Sequence, residues 1–149
     1  MEFSTQDPSP NLSLPSTPFN DKNNQDSADT FTNKGNSLKR NGDMWAALEA
    51  YKQAIIINPY CASTLSNMGN LLKEMGHIEA ALEAYKQVII IEPNCVEVYN
   101  NIGLAFMEMG NTEVAIASFQ QALSIEPFNK NITNNLNKAF KLKPPENHI

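Results

Sequence analysis

The segment that decides the fold occupies residues 62–95 and reads ASTLSNMGNLLKEMGHIEAALEAYKQVIIIEPNC. Within it, Leu65, Gly69 and Leu72 follow one another at the spacing of a single helix face. Gly76 then stands where the end of a helix favours a residue in the left-handed conformation. The rest of the segment returns to the helical pattern, so it predicts two helices joined by a tight turn.

The same pattern recurs on both sides of this segment with a period of 34 residues. The small glycine of the first helix and the small alanine of the second predict a close approach of the two helices. The recurring proline cannot continue a helix interior and restricts the residue before it, so it predicts the end of each second helix. The recurring columns are Gly35, Gly69 and Gly103; Gly42, Gly76 and Gly110; Ala47, Ala81 and Ala115; Tyr51, Tyr85 and Phe119; and Pro59, Pro93 and Pro127.

A helix–turn–helix unit of 34 residues with these columns resembles the tetratricopeptide repeat, or TPR. The resemblance covers residues 28–61, 62–95 and 96–129. It implies an all-α fold, a right-handed α-solenoid of three TPR helix pairs. Solenoids of this kind bind partners along an extended concave surface.

The chain on either side of the three repeats does not contain a further complete repeat. Residues 130–143 begin the pattern a fourth time and predict a single capping helix that covers the core of the last repeat. The TPR domain therefore spans 28–143, and 144–149 is a short C-terminal tail. Residues 1–27 contain four prolines and scattered apolar residues, so we expect a disordered N-terminal tail. We expect the array to be a complete module without a catalytic domain.

Composition and charge narrow the function further. The net charge of −5 disfavours a general nucleic-acid binder. No apolar run exceeds five residues, so we expect neither a membrane span nor a secretory signal, and we expect a cytoplasmic, monomeric protein. Cys61 and Cys95 are one repeat apart, too far for a disulfide, and they are too few for a structural zinc site. His77 and His148 lack ligand or triad partners in the sequence, so we expect no catalytic residue, metal or cofactor.

Asparagines concentrate on the helix faces that we expect to line the concave groove. Asn33, Asn67, Asn101 and Asn135 form a column 34 residues apart, although asparagine is only a modest helix former. A carboxamide carries a donor and an acceptor, so it can pair with a peptide backbone without recognising its side chains. The alternative is that these residues bond water or their own helix. The candidate peptide-binding residues are Asn33, Asn36, Asn67, Asn70, Asn101 and Asn135.

Comparison with two families of repeat proteins indicates which kind of peptide the groove should bind. The column, and residues 66–76 in particular, resemble the asparagine ladder of O-linked N-acetylglucosamine transferases, which implies a peptide groove and nothing about glycosyl transfer. Repeat domains that bind the C-terminal carboxylate of heat-shock chaperones use a Lys/Asn/Asn/Lys/Arg clamp. Thr32, Glu97 and Asn101 stand where the three cations of that clamp belong, so binding of such a carboxylate is not expected.

We therefore predict a non-enzymatic protein-interaction scaffold that binds an extended peptide or a partner helix. Two alternatives stay open: a secretion or assembly chaperone, and an accessory substrate-recognition subunit of a glycosyltransferase system. Charge is graded along the array, from +1 in the first repeat to −4 in the third. This gradient is consistent with a set of solvated faces, and the alternative is a partner whose basic end meets repeat three. Trp45 replaces a glutamate of the other repeats, and we expect it to be partly exposed and packed locally or against the N-terminal tail.

Overall fold

Seven α-helices lie within residues 22–146, the part of the chain that the computed structural model describes. Six of them form three helix pairs, and the seventh packs on the last pair, as the repeat pattern predicts. None of these helices combines the length and apolarity that crossing a lipid bilayer requires. Their bounds are α1 Lys22–Arg40, α2 Met44–Ile57, α3 Ala62–Glu74, α4 Ile78–Ile91, α5 Val96–Glu108, α6 Thr112–Ile125 and α7 Lys130–Leu142.

The turn within each helix pair is closed by backbone hydrogen bonds around the second glycine of the repeat. In repeat two, Gly76 has a φ of 85°. Its N–H donates to the carbonyl of Lys73 at 3.0 Å, and the N–H of His77 donates to Leu72 at 2.8 Å. This pattern is a Schellman motif, which satisfies carbonyls that the end of α3 leaves unpaired. The predicted left-handed C-cap is confirmed, and Gly42 has the same conformation with a φ of 84°.

Each helix pair is held together by one aromatic ring against one glycine. A Cβ atom at Gly69 would lie 2.6 Å from Cε1 of Tyr85, which no ordinary packing tolerates. The equivalent ring in repeat three is Phe119, which packs on Gly103 in the same way. All three rings of this column are fully buried. The first glycine of the repeat is therefore required by the large ring that faces it.

The stacking of the repeats gives the array an inner and an outer side. Among the described helices, α1, α3, α5 and α7 approach one another in sequence, with α-carbons within 8 Å. The second helices α2 and α4 do not come this close to each other. Helices that meet on one side and diverge on the other make a curved stack, so we call the surface of α1, α3, α5 and α7 the inner face.

The first helix begins earlier than the sequence pattern indicated. The composition predicts a disordered tail that includes residues 22–27, but these residues form the first turns of α1. Gln25 stabilises this extension by donating from Nε2 to Oδ1 of Asp29 at 2.8 Å. It also accepts a hydrogen bond of 2.6 Å from Nδ2 of Asn58 at the end of α2. The remainder of the predicted tail, residues 1–21, lies outside the described residues, as do residues 147–149.

Candidate functional site

The candidate site is the inner face, where the predicted asparagines lie at different depths. Asn33 is exposed on α1, while the other predicted residues are half-buried between neighbouring first helices. Thr32, which stands at a cation position of the carboxylate clamp, is buried. Its hydroxyl lies 2.7 Å from the hydroxyl of Thr64, so the two side chains satisfy each other between α1 and α3. The half-buried asparagines are Asn36, Asn67, Asn70, Asn101 and Asn135.

Three members of the asparagine column bond to the preceding repeat, two of them in the same way. Nδ2 of Asn67 donates to Oδ1 of Asn36 at 3.2 Å. Nδ2 of Asn101 donates to Oδ1 of Asn70 at 3.0 Å. Each bond joins a column asparagine to the asparagine that stands three residues after the column position of the preceding first helix, so the asparagines form part of the contact between repeats. The sequence placed all four residues in the site, but it did not predict that they bond to one another.

Tyrosine hydroxyls set the orientation of these amides. The hydroxyl of Tyr51 donates to Oδ1 of Asn36 at 2.7 Å, and Tyr85 donates to Oδ1 of Asn70 in the same way. Burial raises the pKa of Tyr85 well above its usual range, and the nearby carboxylates, Glu108 first among them, raise this pKa further. The phenol is therefore a neutral donor at physiological pH. Because this phenol donates its proton to Asn70, the atom of Asn70 that faces it must be the side-chain oxygen. The same oxygen then accepts the hydrogen bond from Asn101.

This arrangement holds the side-chain amides of Asn67 and Asn101 in a fixed orientation on the inner face. One N–H of the Asn67 amide is used for Asn36. Among the described residues, no side chain or backbone group bonds the second N–H or the carbonyl oxygen of Asn67. The same holds for Asn101. A donor and an acceptor on one planar amide match the C=O and N–H of a peptide backbone, and the bond to the preceding repeat holds the amide in place.

The contact between repeat three and α7 lacks the bond from a column asparagine to a tyrosine-bonded asparagine. Leu104 stands at the position of Asn70, and Phe119 stands at the position of Tyr85. Asn135 therefore finds another partner, and its Nδ2 donates to Oδ1 of Asn100 at 2.9 Å. The simultaneous loss of the asparagine and of the tyrosine hydroxyl is the sequence signal that could have revealed the pairing. Sequence reasoning assigned Tyr51 and Tyr85 to the core alone and missed their contact with the site.

Two pairs of oppositely charged residues lie between neighbouring first helices, near the asparagines of the inner face. Nζ of Lys39 lies 3.1 Å from the carboxylate of Glu74, and Lys73 and Glu108 repeat this pair one repeat later at 3.9 Å. These pairs are half-exposed, so they contribute little to stability and mainly set the local charge. A polar pocket of about 480 Å³ lies beside the first pair, and it is lined by Asn36, Lys39, Arg40, Tyr51 and Asn67.

The positions of a carboxylate clamp carry no cation in this chain. Thr32 is buried against Thr64, and Asn101 is bonded to Asn70. Glu97 is exposed on the first turn of α5, where its own carboxylate would repel an anionic ligand. The inner face therefore suits backbone recognition better than capture of a C-terminal carboxylate.

The other residues that the sequence singled out lie away from the inner face. Trp45 is 68% exposed, more than the partial exposure expected, and its ring centroid lies 5.8 Å from that of His77 on the neighbouring repeat. The alternative contact with residues 1–21 lies outside the described residues. Cys61 and Cys95 are free, half-buried thiols. Burial acts to raise the pKa of Cys61, but hydrogen bonds with Ser63 and Thr64 outweigh this effect and leave it lowered. Within residues 22–146, no three His, Cys, Asp or Glu side chains are grouped to hold a metal ion.

Comparison with protein families gives one consistent result. Models described as a tetratricopeptide repeat match residues 28–61 and 96–129, and a model described as a TPR repeat matches residues 69–110. Together these matches span more than half of the 149 residues. No curated protein matches the chain significantly.

Solved structures share the fold at low sequence identity. The first TPR of Spaghetti (RPAP3), bound to the HSP90 peptide SRMEEVD, superposes with a TM-score of 0.75 at 20% identity, covering 78% of this chain and 93% of that one. The Arabidopsis OM64 TPR domain gives 0.74 at 24% identity, covering 79% and 98%. The Sgt2 TPR domain from Aspergillus fumigatus gives 0.71 at 20% identity, covering 82% and 87%. At these identities the likeness establishes the fold alone.

Proposed function

The chain is a tetratricopeptide-repeat protein, and we propose that it is a non-enzymatic interaction module that holds an extended peptide along its inner face. The observation that carries this proposal is the pair of oriented amides on the inner face, Asn67 and Asn101. Each presents a donor and an acceptor that no described residue uses. Two such groups in register are suited to a ligand whose own polar groups repeat, which is the property of a peptide backbone.

The spacing of the amides supports an extended ligand. Packed helices lie about 8–10 Å apart, and an extended chain rises roughly 3.3 Å per residue. Equivalent asparagines on successive repeats would therefore meet the peptide about once every three residues. The residues between these contacts are free to differ, so recognition of the backbone alone permits several partner sequences.

Two further features support the proposal and define the ligand. Residues 66–76 resemble repeats of O-linked N-acetylglucosamine transferases, whose asparagine ladder implies a peptide groove. The third repeat contains four glutamates and neither lysine nor arginine, and Glu97 lies on the inner helix α5. We therefore expect the peptide to place basic residues toward repeat three.

The structural relative bound to SRMEEVD suggests a useful contrast. That peptide ends in acidic residues and a carboxylate, for which the present inner face provides Thr32, Glu97 and Asn101 in place of three cations. We expect this chain to bind SRMEEVD weakly or not at all. It should instead select unstructured peptides rich in lysine or arginine at one end.

A peptide-display selection on the full chain tests this function. Random unstructured peptides would be selected, and individual winners would then be titrated by fluorescence anisotropy, with SRMEEVD as the contrasting ligand. We expect the selected peptides to bind saturably and to contain basic residues. Their affinity should fall when Asn67 and Asn101 of the protein are replaced by alanine. Selection of acidic C-terminal peptides, or binding that ignores both asparagines, would contradict the proposal.

A further inference from the structure

A second surface suited to a ligand lies on the outer side, away from the asparagines. A cleft of about 630 Å³ opens between α2 and α4, with α3 as its floor. The α4 wall runs between Ala80 and Gln87. Its charged lining residues are Lys52 and Glu83, which have opposite signs, so the cleft is close to neutral. The apolar lining of the other two walls consists of Leu48, Ile55, Ile56, Leu65, Met68 and Leu72.

The cleft is a property of the first interval between repeats. At the corresponding positions of the next interval, Tyr99 replaces Leu65 and Phe106 replaces Leu72. These larger rings pack against the core of repeat three. The smaller side chains of the first interval leave the space open. Ile56 at its edge is 69% exposed, so an apolar ligand in the cleft would remove exposed apolar surface from water.

The N-terminal segment of the same chain joins α1 near the C-terminal end of α2, which forms one wall of this cleft. Helix α1 begins at Lys22, and the hydrogen bond between Gln25 and Asn58 places its first turn against the C-terminal end of α2. Ile55 and Ile56, at the edge of the cleft, lie on that last turn of α2. Residues 1–21 precede α1.

The length of this segment is sufficient to reach the cleft. An extended chain spans at most about 3.3–3.6 Å per residue. Phe19 is therefore within about 10 Å of Lys22, close to the diameter of the α2 helix that must be crossed. Leu14 can reach more than twice as far, which exceeds the diameter of α2.

The chemistry of the segment matches that of the cleft. Residues 8–20 read PSPNLSLPSTPFN and contain no charged side chain, with Asp7 and Asp21 as the flanking acids. Leu12, Leu14 and Phe19 provide apolar groups for the Leu/Ile/Met lining. Prolines restrict the backbone before binding, so less conformational entropy is lost when the segment is held in one extended form.

We propose that residues 8–20 occupy the outer cleft between α2 and α4 of the same molecule. The inner face stays open for a peptide ligand, so this contact is independent of the proposed function. Thr17, followed by Pro18, is then a regulatory position. A phosphate on its hydroxyl adds close to two negative charges beside an apolar lining, which disfavours the bound segment.

Methyl NMR of the full chain tests the contact directly. Met68 lies in the cleft lining, so its ε-methyl group is the probe, and Met107 of repeat three is the internal reference. With 13C-methyl methionine and protonated leucine and phenylalanine in a deuterated background, the Met68 methyl should show NOEs to the lining leucines in every variant. It should also show further NOEs to leucine or phenylalanine protons that disappear in the variant L14S/F19S. The matched control F3S, outside residues 8–20, should retain them.

Two further measurements decide between the remaining outcomes. The phosphomimetic variant T17E should remove the same NOEs, while the control T5E should not. A Met68 methyl whose NOEs are unchanged in both L14S/F19S and T17E would overturn the proposal. NOEs seen between differently labelled molecules in a mixed sample would assign the cleft to the tail of a second copy and would equally overturn it.

Discussion

The hydroxyl of Tyr51 donates a hydrogen bond of 2.7 Å to Oδ1 of Asn36 and so connects the second helix of repeat one to its inner face. Repeat two contains the same pair as Tyr85 and Asn70. Repeat three has lost both members and has Phe119 and Leu104 instead. A buried hydroxyl is costly without a partner, so the two positions change together.

This pairing predicts a strong coupling between Tyr85 and Asn70. Replacing Tyr85 by Phe should lower the free energy of unfolding by about 0.5–1.5 kcal/mol, because Asn70 keeps Asn101 as a donor. Replacing Asn70 by Leu should cost about 1–3 kcal/mol, because it leaves the buried hydroxyl unpaired. The double variant copies repeat three, and its loss should be smaller than the sum of the two. Urea unfolding of the four proteins measures the coupling, and simple additivity would contradict the pairing.

The same tyrosine predicts sensitivity to alkaline pH. The folded state raises the pKa of Tyr85 above its ordinary value, first by burial and then through Glu108 and other carboxylates. The resulting stability is fully present below about pH 10 and is lost above it, since the unfolded phenol then ionises while the folded one stays protonated. The free energy of unfolding should therefore fall above about pH 10, and less steeply in Y85F.

A pH series of urea unfolding curves checks this, with measurements at neutral pH as the reference. At neutral pH the two proteins should differ only by the lost hydrogen bond. The difference between them should shrink as the pH rises. Parallel curves for wild type and Y85F across the alkaline range would show that this phenol does not control the transition.

Removal of the C-terminal helix α7 should lower stability by exposing the core of repeat three. Ile132 and Ala139 on α7 are buried against repeat three, at 2% and 0% exposure. Deleting residues 130–149 should expose that core, lower the melting temperature and promote self-association. In the full chain, I132A should cost about 2–5 kcal/mol, whereas the exposed control K138A should have little effect. Thermal melts and light scattering test both, and a monomeric truncation with an unchanged melt would exclude a capping role for α7.

The repeat pattern was enough to predict the fold because each column reports a contact within one repeat. Gly69 and Tyr85 occupy spacings that recur in each repeat of the array and meet as the pattern requires. Gly76 adopts its left-handed conformation for reasons local to the turn. Short-range constraints of this kind can be derived from spacing alone.

Contacts between repeats could not be derived in the same way. The bond from Asn67 to Asn36 depends on the offset and rotation of α3 relative to α1, which a column of identical residues does not specify. The burial of Thr32 depends on Thr64, which belongs to a different column. The early start of α1 depends on a bond from Asn58 to Gln25. Each result required the packing of one repeat on the next.

The asparagines themselves provide the last prediction. In the triple variant N33A/N67A/N101A, two bonds between repeats are lost, but Asn36 and Asn70 keep their tyrosine donors. The alanines are better helix formers, and the altered sites are at least partly exposed, so the melting temperature should change little. Binding of a selected peptide should nevertheless weaken by about ten-fold to a thousand-fold, since each lost hydrogen bond is worth roughly 0.5–1.5 kcal/mol.

A matched control makes this prediction specific to the inner face. The control replaces three exposed residues on the second helices of repeats two and three: Lys86 on α4, and Glu113 and Gln120 on α6. Their replacement by alanine should leave peptide affinity unchanged. Circular dichroism melts and anisotropy titrations on both triple variants separate folding from binding. A large drop in melting temperature for the asparagine variant would assign these residues to the stability of the array. A stable variant with full affinity would place the binding site elsewhere, because the amides would then have no ligand to hold.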